Sequence, residues 1–194
     1  MNLKKILFDN EEEAREKLDF LRKGWQKKIN TSWCIIPAAG QGRRFGSKTP
    51  KQYVDLGGIS ILERSVNCIF NIPSKSNLVA IIIILDRFDH FFEKKLFKKE
   101  LFNQNNKIDT IVAIKIGEKT RQGSVISGLK LLEGCCNTND WIFVHDAARP
   151  NLSIKSLNRL WKEGSNSNDG AILATKVSDT LKKQDIVDTN KNFQ

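Results

Sequence analysis

The sequence predicts a doubly wound α/β domain on a mostly parallel sheet, and three observations carry that prediction. Five short apolar bursts, several rich in Ile and Val with little polar alternation, read as parallel strands buried on both faces. Four stretches between and after them place apolar residues at three- and four-residue intervals, as helices packed on a sheet do. A glycine-rich turn follows the first burst directly, and ligands in such sheets sit beyond the carboxyl ends of the strands.

Taken in order, residues 10–30 run from Glu11-Glu12-Glu13 to Arg22-Lys23 and Lys27-Lys28, with Leu18, Leu21 and Trp25 at helical spacing. Negative charge first and positive charge last suits the helix macrodipole. Residues 1–32 are therefore expected to form an amphipathic helical extension, packed on the sheet or meeting a partner, ahead of a domain spanning 33–194. Strands are expected at Trp33–Pro37, Leu78–Leu85, Thr110–Ile116, Trp141–Val144 and Ala171–Thr175. Helices are expected at Ser60–Phe70, Phe88–Phe102, Thr120–Leu132 and Ser153–Gly164. The tail Thr180–Gln194 is polar and has no capping element, so the sheet reads as unfinished and the chain as a fragment or truncated product.

The 194 residues, 40% hydrophobic and 28% charged, suit one domain whose core needs no staples. A net charge of +10 raises nucleic-acid binding, but the lysines lie in scattered pairs without interleaved aromatics. Small anionic ligands are the milder expectation, with no nucleic-acid partner. The longest apolar run, Leu78–Leu85, is far below the ~20 residues of a membrane helix, and no export signal is evident. Cys34, Cys68, Cys135 and Cys136 form neither a C-x-x-C pair nor a disulfide framework, so they read as reduced thiols of a soluble cytoplasmic protein with no membrane partner.

Three motifs carry chemistry. The run Pro37-Ala38-Ala39-Gly40-Gln41-Gly42-Arg43-Arg44-Phe45-Gly46, followed by Pro50-Lys51-Gln52-Tyr53, sets small residues and cations after a strand. Backbone N–H groups there approach phosphate oxygens closely, although the spacing matches neither an ATPase P-loop nor a dinucleotide turn. Arg44 and Lys51 are placed to stabilise charge on a triphosphate, with Arg43 facing solvent. His145-Asp146-Ala147-Ala148-Arg149-Pro150 follows Trp141–Val144. Asp146 suits a Mg²⁺ that bridges phosphates, or else a helix cap or turn carboxylate. Arg149 pairs with Asp146 or reaches the ligand, and His145 reads as a packed, hydrogen-bonded histidine before it reads as a base. Gly117-Glu118-Lys119-Thr120-Arg121-Gln122-Gly123-Ser124 opens a helix, with Thr120 as N-cap or ligand and Ser124 needing a separate reason to be polar. Zinc ligation and a Ser-His-Asp triad both lack their spacing.

Together with I-L-E-R-S-V at Ile61–Val66 and V-S-D-T at Val177–Thr180, these motifs resemble the 2-C-methyl-D-erythritol 4-phosphate cytidylyltransferases over residues 33–189. The resemblance implies a Rossmann-like, three-layer nucleotidyltransferase fold with part of a β-arm at the C-terminus. It implies transfer of CMP from CTP to methylerythritol phosphate, releasing pyrophosphate, in the non-mevalonate route to isoprenoids. By that likeness Ala38, Ala39, Gly40 and Gly42 line the CTP site, Gly117 and Ser124 select cytosine, and Arg44 and Lys51 stabilise the transition state. Asp146 would hold Mg²⁺, Arg149 and Thr180 would lie near the acceptor, and a β-arm would pair two copies as a homodimer. A ribitol-5-phosphate cytidylyltransferase shares the loop, the P-K-Q element and the aspartate, and a non-catalytic CTP-binding module is the other alternative. Two departures stand out: Thr189 replaces the arm's arginine, and the sequence ends before the family's T-P-Q motif and late lysine. Weak CTP binding and poor or absent turnover are the expectation for this chain.

Overall fold

A computed structural model describes residues 6–26, 28, 31–40, 46, 49–92 and 110–176. Within them one all-parallel sheet of five strands runs in the order β1–β4–β3–β2–β5. The strands are β1 (Leu7–Phe8), β2 (Ser32–Ala38), β3 (Leu78–Asp86), β4 (Ile111–Gly117) and β5 (Trp141–Val144). Four helices, α1 (Glu11–Lys23), α2 (Ile61–Ile69), α3 (Arg121–Leu132) and α4 (Ile154–Gly164), cover its two faces.

The unbroken apolar run of β3 follows from burial on both sides. Ile81 and Ile83 face one layer with Cys34 and Ile36, against Leu62, Val66 and Ile69 of α2 and Leu157 of α4. Ile82 and Ile84 face the other with Trp33 and Ile35, against Ala14 and Leu18 of α1 and Leu131 and Leu132 of α3. The residues alternate because successive side chains of a strand point to opposite faces. Helix starts are sharp. Asn10, Ser60, Thr120 and Ser153 each accept the backbone N–H three residues on, and Ser60 and Glu63 complete a capping box. Each such cap stabilises its helix by about 1 kcal/mol.

The helix expected in residues 10–30 is α1, and it packs on one face of the sheet beside α3: Ala14 and Leu18 are fully buried. Arg15 donates to the Lys130 and Glu133 carbonyls at the end of α3, at 2.6 and 2.8 Å. Ahead of it β1 adds an unexpected edge strand, with Leu7 opposite Ala113 and Phe8 opposite Ile114. Two residues are too few to show a period, so pattern alone misses it.

Two expectations need correction. Ala171–Thr175 is not a strand. It follows a turn at Gly170, φ +82°, and leaves Ile172 88% exposed. A slot of about 540 Å³ lined by Trp141–Val144, Trp161, Ala171 and Ile172 separates it from the outer edge of β5. A strand needs a ladder partner, and none reaches this stretch among the described residues. The helix expected from Phe88 does not begin there either: Phe88–Phe92 is a turn in which Asp89 accepts from the N–H groups of Phe91 and Phe92. Residues 93–109, like Val177–Thr180 and the expected β-arm, lie outside the described residues.

One buried carboxylate ties the extension to the sheet. Asp140, its side chain 2% exposed, accepts from the Thr31 hydroxyl at 2.7 Å, the Trp33 indole at 3.1 Å and the Asn137 N–H at 3.0 Å. Arg22 of α1 stands 3.7 Å away and donates to Thr31. Burial raises the Asp140 pKa, but these donors and the Arg22 charge outweigh it and hold the carboxyl below its usual value. Its contribution to stability is therefore complete above the unfolded pKa, near 4, and disappears as pH falls through the lower folded value. Asp140→Asn is expected to lower unfolding free energy by about 2–3 kcal/mol at pH 7 and to flatten the acid limb below about pH 4, read from urea melts across pH.

Candidate functional site

Three turns meet at the carboxyl ends of β2, β4 and β5. Beyond Ala38 the chain leaves β2 as Ala39-Gly40, and a one-turn helix at Lys51–Tyr53 folds back beside it. Gln52, buried there, donates through Nε2 to the Ala38 carbonyl at 2.7 Å and the Gly40 carbonyl at 3.0 Å. Tyr53 donates its hydroxyl to Asp89 at 2.7 Å. Burial and the Asp89 charge push that phenol far up, so it stays protonated.

At the end of β4, Gly117 packs so tightly that a Cβ would collide with the Ala39 methyl and come within 2.5 Å of the Leu85 carbonyl oxygen. Gly117 is thus what lets Ala39 approach β4. Gly40 is the reverse case, since a Cβ there meets nothing within 4 Å. Thr120 caps α3, accepting from Gly123 at 2.9 Å. Ser124, fully buried, accepts from the Glu118 N–H at 3.0 Å and donates to the Thr120 carbonyl at 3.1 Å. Its polarity therefore serves to fix the turn that precedes the helix.

At the end of β5, Asp146 is gripped by two guanidiniums, Arg121 Nε at 2.6 Å and Arg149 Nε at 2.8 Å. The backbone beneath is pinned by α2: Ser65 donates to the Ala147 carbonyl at 2.9 Å and Cys68 to the Pro150 carbonyl at 2.7 Å. His145 Nε2 lies 3.0 Å from the Arg149 carbonyl. Burial lowers the His145 pKa, and the Arg149 charge adds to that against the Arg149 carbonyl and Asp146, so at pH 7 the neutral ring donates this bond.

These turns enclose a cavity of about 410 Å³. Of the residues singled out from the sequence, Ala38, Ala39, Gly40, Lys51, Ser124, Asp146 and Arg149 line it together. Gly117 stands behind Ala39, and Gly42, Arg43, Arg44 and Thr180 lie outside the described residues. Lys51, Lys119, Arg121 and Arg149 set four cations against the carboxylates of Glu118 and Asp146, a net attraction for an anion. A second cavity, about 590 Å³, shares Arg121, Asp146, Ala148 and Arg149 and extends over Phe143 to Ile172. The Arg121–Asp146–Arg149 cluster is the wall between the two. Sequence reasoning assigned no role to Gln52, Ser65 or Arg121, although all three sit inside motifs it had marked, because their partners are backbone or charge brought from distant turns.

Residues 33–192 match the family described as IspD, 2-C-methyl-D-erythritol 4-phosphate cytidylyltransferase. The chain belongs to this family. The enzyme of that name from Pseudomonas fluorescens (strain Pf0-1) is 38% identical over 154 residues, 79% of this chain and 60% of that one. Its namesake from Pseudoalteromonas translucida (strain TAC 125) is 38% identical over 149 residues, 77% and 56% of the two chains. The crystal structure of a 4-diphosphocytidyl-2C-methyl-D-erythritol synthase shares the fold with a TM-score of 0.59 at 26% identity, over 81% of this chain and 65% of that one. The chain thus spans about three-fifths of the length of the curated relatives it matches. The fold is the nucleotidyltransferase fold of this family, and β1 and α1 precede the matched region.

The two glycines should separate in a thermal melt. Gly117→Ala is expected to cost about 2–3 kcal/mol, because the neighbours are strand backbone and a packed methyl. Gly40→Ala is expected to stay within about 0.5 kcal/mol of the parent.

Proposed function

We propose that the cavity binds CTP and that the chain is the nucleotide-holding part of an enzyme transferring CMP to 2-C-methyl-D-erythritol 4-phosphate, with release of pyrophosphate. The observation that carries this reading is the convergence of the Ala38–Gly40 turn, Lys51, the Gly117–Ser124 turn and Asp146 on one cavity. Small residues admit phosphate oxygens to the backbone, and the open space over Gly40 is where a side chain would obstruct them. The base would enter beside the Gly117–Ser124 turn, whose N–H and C=O groups Ser124 holds in place.

In the reaction, an oxygen of the acceptor phosphate attacks the α-phosphorus of CTP and the bond to the departing pyrophosphate breaks. No protein nucleophile is required, so the chain contributes position and charge. Lys51 would neutralise charge growing on the α-phosphate and the bridging oxygen, with Arg44 in the same role. Arg149, on the wall between the cavities, would meet the acceptor's phosphate together with Thr180. Asp146 is a partly exposed carboxylate held by two guanidiniums, Glu118 lines the same cavity, and no group of three or more His, Cys, Asp or Glu side chains is gathered for a metal among the described residues. That donor set fits Mg²⁺, which keeps its waters and takes phosphate oxygens. Bound there, Mg²⁺ would offset the charge of the triphosphate. We further propose a cytoplasmic homodimer joined through a C-terminal β-arm; among the described residues no helix is long and apolar enough to cross a membrane.

A second reading, a CTP-binding module without turnover, draws on the outer edge of β5, which has no ladder partner among the described residues. The far wall of the second cavity is Ala171–Leu173, a stretch that no ladder holds among the described residues.

Calorimetry with CTP and Mg²⁺ is expected to show binding that Lys51→Ala weakens about ten-fold, the loss of one charge-assisted contact. Absence of CTP binding would overturn the proposal. In a pyrophosphate-release assay the rate with methylerythritol phosphate should exceed that with ribitol 5-phosphate. The opposite order would reassign the acceptor, and no release with either would favour the second reading.

A further inference from the structure

We propose that Gln52 is a positioning residue for the phosphate-binding turn, holding the peptide groups of Ala38 to Gly40 so that N–H groups rather than carbonyl oxygens are presented to the nucleotide. This rests on the reading of the cavity as a CTP site. Gln52 follows Lys51 in the one-turn helix and is only 6% exposed. Its Nε2 reaches the Ala38 carbonyl at 2.7 Å and the Gly40 carbonyl at 3.0 Å. Two carbonyl acceptors require the NH₂ end of the amide, and both of its hydrogens are used.

The need arises at the end of the sheet. The ladder between β2 and β3 closes with Ala38 opposite Leu85, so the carbonyls beyond it must find partners elsewhere. In a planar trans peptide the N–H points opposite to the C=O. Fixing the carbonyl of Ala38 on Gln52 therefore turns the N–H of Ala39 away from Gln52, and the Gly40 carbonyl is held on the same amide. A carbonyl swung toward a triphosphate would repel it, while an N–H attracts it. Packing does not do this at Gly40, where the space around the missing Cβ is open.

Gln52 also sets Lys51 against the turn. The next residue, Tyr53, is fastened to Asp89 at 2.7 Å, so the short helix is held through two successive side chains. Lys51 then extends from a backbone whose distance from Gly40 is fixed by its neighbour's amide.

The test compares CTP with cytidine, which lacks phosphates, in the parent and in Gln52→Met, which keeps the side-chain length and removes both donors. Calorimetry should show CTP affinity reduced about ten-fold or more, as expected when the binding-competent turn falls to about a tenth of the population. Cytidine affinity, followed by ligand-observed NMR, should change less than about two-fold, since base contacts lie on the β4–α3 turn. Equal losses for both ligands would mean that Gln52 only supports the fold and would overturn the proposal, as would an unchanged CTP affinity. Should Gln52→Met fail to fold, Gln52→Asn, one methylene short of spanning both carbonyls, must show the same selective loss of CTP. Failure of the parent protein to bind CTP would refute the nucleotide reading itself and this proposal with it, an outcome visible before any variant is made.

Discussion

The parallel pairing of β2 between β3 and β5 is the constraint on which the rest of the structure depends. With Cys34 opposite both Ile81 and Phe143, β2 is a central strand, and Trp33, Cys34, Ile35 and Ile36 have no exposed surface. A parallel neighbour can be reached only by a crossover, so every strand must end on the same side and hand its chain to a turn there. The Ala38–Gly40 turn, the Gly117–Ser124 turn and the Asp146 loop are neighbours for that reason. Nothing in their own sequences requires them to meet.

Having been brought together, the turns are fastened by side chains acting on backbone carbonyls. Gln52 holds Ala38 and Gly40, Ser124 holds Thr120, Ser65 holds Ala147, Cys68 holds Pro150 and His145 holds Arg149. The bonds to Ala38 and Ala147 are buried, and a buried carbonyl without a partner costs about 1–3 kcal/mol, so these two matter more for what their loss would expose than for their own strength. The charged groups are treated differently. Lys51, Arg121 and Arg149 remain at the surface, where an ion pair contributes at most about 1 kcal/mol. Weak pairing of Arg121 and Arg149 with Asp146 would suit the proposed exchange of partners on binding an anion.

What the sequence showed and what it hid divide along the same line. The strands β2 to β5 were legible because burial on both faces writes near-continuous apolar runs, the helices α1 to α4 because apolar residues recur at three- and four-residue intervals, and the caps Ser60, Thr120 and Ser153 mark helix starts. The glycine turn and Lys51 were legible as neighbours at one cavity because they are close in sequence. The role of Gln52 was not legible, because its partners are backbone carbonyls, which leave no mark on residue type. Asp140, which joins α1 to β2 and β5 through partners as far as 109 residues away, carries no local signal at all. Ala171–Thr175 misled for a related reason: its composition suits a strand, but composition does not supply the neighbour that would complete one.

The central claim is that the ends of β2, β4 and β5 form a single nucleotide site. Backbone amide NMR of the uniformly labelled chain, titrated with CTP and Mg²⁺, tests it most directly. The account predicts saturable shifts concentrated at Ala38–Gly40, Lys51–Gln52, Gly117–Ser124 and Asp146–Arg149, with α1 and the β1 edge unmoved. Shifts confined to one of these turns, or gathered instead along the slot between β5 and Ile172, would contradict it.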